Sequence, residues 1–142
     1  AMVKLLGGEF RNAKEVVDYV NQLSTQLKAI GLERYSNYLV SNYGRHCDVI
    51  LEHIKSMNDS GTDLALAKAE LWFCIYHEMV ISPSDFFVRR TGMLFFHMDR
   101  LTGLIEPIME EFKKYFELSE DKFSEEMIAL NKAIKEATLK SL

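Results

Sequence analysis

The chain has 142 residues and a mass of 16.4 kDa, enough to bury a core without disulfide or metal staples. Its 48% hydrophobic and 27% charged residues are those of an ordinary soluble globular domain, and no stretch nears the roughly 20 apolar residues of a membrane span. A net charge of −4 with no basic run argues against a nucleic-acid partner.

Residues 1–11 carry Gly7-Gly8 and little periodicity, which predicts a linker, with Ala1-Met2 reading as a vector-derived scar on an excised piece and no signal peptide opening the chain. Asn12 is placed to cap a first helix, with Glu15 three residues on as its reciprocal capping-box partner. Val16, Val20, Leu23, Leu27 and Ile30 then form one apolar stripe until Gly31. A shorter helix from about Leu32 to Tyr43 presents Tyr35, Leu39 and Tyr43 and stops at Gly44. A third turns Val49, Ile50 and Ile54 inward before the polar loop Asn58-Asp59-Ser60-Gly61.

Thr62 caps a helix over 62–80 that is apolar nearly all the way round, from Leu64 to Tyr76, as expected of a central helix with neighbours on most sides. Ser82-Pro83 then opens another helix, with serine at the cap, proline at the first position and Asp85 at the third. A bend is expected at Gly92. The next helix carries Leu104, Ile105, Ile108, Met109, Phe112 and Phe116, with Pro107 expected in its first turn and its start near Leu104. Ser119 caps the last helix, which turns Phe123, Met127, Leu130 and Ile134 inward. No alternating strand pattern, internal repeat or low-complexity tract is present. The fold class expected is all-α: a compact domain over 12–142 of about six or seven helices around a central apolar one.

Chemistry-bearing patterns are few. Cys47 and Cys74 make no C-x-x-C and no dense cysteine framework, which points to a reducing cytoplasm. His46 and His53 lie two turns apart on one helix face, too far to share an ion, so no metal site is expected. No G-x-G-x-x-G follows a strand, so no dinucleotide-type phosphate loop is expected either. Lys113-Lys114 and Glu110-Glu111 read as a solvated helix face.

The stretch that stands out is Asp85-Phe86-Phe87-Val88-Arg89-Arg90. Adjacent helical residues point about 100° apart, so two adjacent arginines behind two adjacent phenylalanines cannot all be accommodated on an open surface. At least one guanidinium is expected against packed structure, neutralised by carboxylates such as Glu78 and Asp85, because a buried charge must be paired. Asp85 and Arg89, four apart, share a face. A direct contact of the arginines with a partner domain or a bound anion is the other reading. An acid–base role for His77-Glu78 lacks a local nucleophile or cofactor.

His77-Glu78-Met79-Val80, a short serine-containing junction, then Asp85-Phe86-Phe87-Val88-Arg89-Arg90-Thr91-Gly92 and the aromatic pair Phe95-Phe96, resemble the signature of one family. It is the C-terminal helical domain of FAD-dependent glycerol-3-phosphate dehydrogenases and α-glycerophosphate oxidases. Gly7-Gly8-Glu9-Phe10 resembles the linker leaving the FAD-binding part, and Tyr43-Gly44 resembles the Tyr-Gly that closes a short helix there. The resemblance covers most of the chain and weakens after about Phe116. Met93 and His97 depart from the pattern, which would have a basic residue and an acid.

The resemblance implies a parent enzyme that converts glycerol 3-phosphate to dihydroxyacetone phosphate, with FAD held outside this segment. The segment itself would be a bracing cap without catalytic or cofactor-binding residues. Glu78, Asp85, Arg89 and Arg90 would form a structural or interdomain network, and Phe86, Phe87, Phe95 and Phe96 core or interdomain packing. Its partners would be the FAD-binding and substrate domains of the same polypeptide, with homo-oligomerisation open. The parent would be cytoplasmic, or peripheral at the inner face of the membrane. The alternative is a stand-alone helical interaction module docking through residues 85–96.

Overall fold

The computed structural model describes residues 10–58, 61–78, 82–90 and 98–140, with the backbone alone for 88–90, 98–102 and 137–140. Six α-helices occupy the described residues: α1 (Ala13–Lys28), α2 (Ser36–Tyr43), α3 (Cys47–Lys55), α4 (Asp63–His77), α5 (Met98–Phe116) and α6 (Glu120–Lys140). Tight 3-10 turns at Glu33–Tyr35 and Gly44–His46 lead into α2 and α3. No strand occurs among the described residues, and the fold is all-α. Contacts divide the chain into two compact units, residues 1–69 and 70–142, with α4 running through the division.

In the first unit, the Asn12 side chain accepts from the Glu15 N–H at 2.9 Å and starts α1. Glu15 does not serve merely as a capping partner: its carboxylate is taken by Arg11 at 3.1 Å and by Arg45 at 2.5 Å. The buried stripe of α1 runs through Tyr19, Leu23 and Leu27, with Val16 and Val20 only half-buried. The stripe is therefore rotated from the one read in the sequence, because tyrosine can bury its ring once its hydroxyl finds partners. That hydroxyl donates to Asp48 Oδ1 (2.7 Å) and lies 3.1 Å from the Arg45 carbonyl. Phe10, in the segment read as linker, is buried against the Tyr19 ring at 5.5 Å, with the Arg45 guanidinium 4.5 Å above it.

At the end of α1, the Leu32 N–H donates to the Leu27 carbonyl and the Gly31 N–H to that of Lys28, with Gly31 at φ +79°. This is the paired bonding of a Schellman cap, in which a left-handed residue lets the chain turn away. In α3, Cys47, Ile50, Leu51 and Ile54 are buried. Val49, expected inside, is exposed, and Leu51 takes its place. The start of α4 is fastened by the Thr62 hydroxyl, which accepts from the Ala65 N–H at 3.0 Å. Asp63 accepts there from Tyr35 (2.6 Å) and Arg34 (2.7 Å).

In the second unit, α5 begins at Met98, so Pro107 lies in its interior rather than in a first turn at Leu104. An interior proline removes the bond to the carbonyl four residues back and crowds it. Here that residue is Gly103, exposed and without a side chain, and nothing stands within 4 Å of where its Cβ would be. The burial of Leu104, Ile108, Met109 and Phe112 on one face holds the helix together across the gap. Phe116 remains partly exposed, stacked on Phe112 at 5.9 Å.

The turn into α6 places Glu117 at φ +51° while the Leu118 N–H donates to the Lys113 carbonyl. Ser119 then caps α6, its hydroxyl accepting from Lys122 N–H at 3.1 Å. Of the four α6 residues expected inside, Leu130 is fully buried and Phe123, Met127 and Ile134 are half-buried. Lys113 pairs with Glu120 and sits 5.1 Å from the Phe123 ring, joining the ends of α5 and α6.

Candidate functional site

The junction after α4 carries the residues that the sequence singles out. Ser82 caps it as expected: its hydroxyl accepts from the Asp85 N–H at 3.1 Å, and its carbonyl from the Phe86 N–H. The helix that follows differs from expectation. Asp85–Arg90 is a π-helical segment, wound wider than an α-helix. A wider turn rotates each residue by less, so adjacent side chains come closer to sharing a face. Phe86 and Phe87 are both fully buried, at 0% exposure. Their rings meet edge-to-face at 5.3 Å, and Phe86 meets Phe112 of α5 at 6.1 Å. These two phenylalanines are core.

Glu78 stands half-buried where α4 ends, with its N–H donating to the Cys74 carbonyl and one carboxylate oxygen 3.8 Å from the Cys74 thiol. Asp85 is half-buried in the first turn of the π segment. Both engage further neighbours. Arg89 and Arg90 close the π segment, and their side chains lie outside the described residues, as do Met93, Phe95, Phe96 and His97 entirely.

One residue at this junction went unread in the sequence. Glu70 is buried at 0% exposure, two helical turns before Glu78 on the same face of α4, with Cys74 between them. Its signal was available, since it is the sole acid between Leu64 and Tyr76, a run whose only other charge is Lys68. An ionised carboxylate that deep requires a cation and hydrogen bonds.

His77 is exposed, its ring stacked 4.6 Å from Phe73 and 5.5 Å from Trp72. Elsewhere, Arg11, Asn12, Glu15, Asp18, Tyr19 and Arg45 line an open polar groove on the first unit. Three of its charges are committed to one another, since hydrogen bonds from Arg11 and Arg45 hold the Glu15 carboxyl below its ordinary pKa. Burial, and then the bond to Asp48, push the Tyr19 phenol well above its usual range, so it remains a donor. Among the described residues, no group of three or more His, Cys, Asp or Glu side chains is placed to hold a metal ion. No described helix is long and apolar enough to cross a membrane.

The geometry at Glu78 and at Ser82–Phe87 thus sets two half-buried carboxylates and a serine cap beside buried aromatic rings. The family model for the C-terminal domain of alpha-glycerophosphate oxidase matches residues 1–123, through this whole junction. The chain belongs to that family. Among curated proteins it is similar to an aerobic glycerol-3-phosphate dehydrogenase of Staphylococcus haemolyticus, 29% identical over 93% of this chain and 24% of the relative. It is likewise similar to an alpha-glycerophosphate oxidase of Streptococcus pyogenes serotype M6, 30% identical over 96% of this chain and 22% of the relative. An aerobic glycerol-3-phosphate dehydrogenase of Bacillus subtilis is 27% identical over 94% of this chain and 25% of its own length. The chain spans about a quarter of the length of these curated relatives.

Proposed function

We propose that this chain is the C-terminal cap of an FAD-dependent enzyme that oxidises glycerol 3-phosphate to dihydroxyacetone phosphate. The observation that carries the reading is the family match through the Ser82–Arg90 junction in a chain that spans a quarter of its relatives. FAD and the substrate bind in the remainder of the polypeptide. Residues 12–142 brace that remainder as one domain and supply no catalytic group, in keeping with a sequence that has no G-x-G-x-x-G. FAD accepts the hydride and passes electrons on to quinone or oxygen. The parent works in the cytoplasm or against the inner face of its membrane.

Within the cap, the guanidinium groups of Arg89 and Arg90 are neutralised by Glu70, Glu78 and Asp85. The full burial of Glu70 supports this, because such a carboxylate is sustained by a forked, hydrogen-bonding cation. The network ties the end of α4 to the π segment.

An immunoblot of the source cell with an antibody against this chain tests the reading. A band about four times heavier than 16.4 kDa, comigrating with flavin-linked glycerol 3-phosphate oxidation, is expected. A band at the size of the chain alone would overturn it in favour of a stand-alone module.

A further inference from the structure

A helix that is apolar on every side is normally covered on every side. Most of α4 obeys this: Leu66, Ala67, Ala69, Leu71, Phe73 and Cys74 are buried. One stripe does not. Trp72 and Ile75 are only half-buried and Tyr76 is 63% exposed, although all three are large and apolar. Tyr115 of α5 extends the stripe, its ring meeting that of Tyr76 edge-on at 6.0 Å, while Trp72 lies 6.3 Å from Tyr76 on the other side. Three aromatic rings therefore form one surface step across α4 and α5. Lys114, next to Tyr115 in α5, pairs at 3.4 Å with Glu111, one turn before Tyr115.

We propose that Trp72, Ile75, Tyr76 and Tyr115 form the face on which the flavin-bearing remainder of the parent polypeptide rests. The inference depends on the function proposed above. It adds which surface of the cap makes the contact. Tryptophan and tyrosine dominate the centres of protein interfaces because they bury much area with few rotatable bonds, while charges sit at the rim. The rings already hold one another, so little side-chain freedom is lost on contact. The occupant follows from the relatives, in which about three-quarters of the chain lies beyond the matched region and has to meet this domain. Among the described residues, Phe116 is 39% exposed but stacked on Phe112, and the exposed aliphatic side chains, Val17, Val49 and Ile128, stand on three different helices, as scattered surface residues do.

The experiment is limited trypsin digestion of the full-length parent, following cleavage after Arg11, whose side chain is 90% exposed. Tyr76→Glu should accelerate release of the C-terminal piece by about tenfold, since cleavage follows the population of the undocked state. Ile128→Glu, at a site 70% exposed on α6, should leave the rate unchanged. The thermal melt of the 142-residue chain carrying Tyr76→Glu should match that of the unaltered chain. Should that melt fall, Tyr76→Ser is judged by the same criteria. An unchanged cleavage rate with an unchanged melt overturns the proposal. So does a change in the mass of the assembly without faster cleavage, which would assign the face to a second copy. Flavin content and glycerol 3-phosphate oxidation of the unaltered parent test the proposed function separately. A yellow, active parent insensitive to Tyr76→Glu overturns the docking face alone, and a colourless, inactive one overturns both.

Discussion

Glu70 and the arginine pair set the stakes at the scale of single residues. If buried carboxylates neutralise the pair as proposed, replacing Arg89 or Arg90 by alanine should destabilise the domain by about 3–5 kcal/mol, the cost of leaving a buried charge unpaired. Glu70→Gln tests the same network from the acid side. If Glu70 is its deep acceptor, the double variant with the paired arginine should lose less than the sum of the two single losses in denaturant melts. Additive losses would detach Glu70 from the arginines. Gly61 carries a simpler expectation. It has φ +99°, and a Cβ there would stand 2.6 Å from the Ile30 carbonyl oxygen, so Gly61→Ala should lower stability by about 1–3 kcal/mol in the same melts.

Much at this scale was legible in advance. Asn12, Thr62, Ser82 and Ser119 each cap the helix assigned to them, because a cap is a hydrogen bond spanning three residues and its partners travel together in the sequence. The Val49 and Val16 readings failed for the opposite reason. Val49, Ile50 and Leu51 are alike in hydropathy, and which of them faces inward depends on helices far away along the chain.

At the scale of elements, α5 and the π segment departed from local expectation. Pro107 in a helix interior carries a penalty of about 3 kcal/mol that only tertiary burial offsets. Pro107→Ala should therefore restore the bond to Gly103 and raise the melting temperature by several degrees, read by circular dichroism at 222 nm. A fall would mean that the half-buried Pro107 ring itself contributes packing. The π segment was invisible to periodicity. An S-P-S-D start is equally compatible with an α-helix, and the widening appears once two adjacent phenylalanines must both be buried, with Phe86 against Phe112. Position 112 lies too far along the chain for any local window to include it.

For the whole molecule, titration gives the sign of the pH response. Burial lowers the pKa of His53 from its ordinary 6.5, so the folded state binds this proton less readily than the unfolded chain. Stability from His53 is present above 6.5 and is lost as pH falls toward and through the folded pKa. Glu15, lowered by its bonds to Arg11 and then Arg45, contributes in the same sense at more acid pH, above its ordinary 4.5. On the alkaline side, Lys113, raised by its bond to Glu120, and Tyr115, raised by burial, contribute stability that is lost as pH climbs through their folded pKa values. The melting temperature should thus hold a plateau from about neutral pH to about pH 10 and fall on either side. His53→Gln should flatten the slope between about pH 7 and pH 5. An identical slope in that variant would remove His53 as its source.

By itself the sequence determined the all-α class, the starts capped by Asn12, Thr62, Ser82 and Ser119 and, through the string at 78–92, the family. These rest on hydrogen bonds within one turn, on helical periodicity and on residue order, all of which are properties of short stretches. The tertiary structure alone decided that Phe10 is held under Arg45, that Pro107 is tolerated mid-helix, that Glu70 is fully buried, and that Tyr76 on an apolar helix is left exposed. Burial is a relation between residues distant in sequence, and hydropathy states only that a side chain would gain by it. Whether a neighbour arrives to cover it is decided by the packing of the helices.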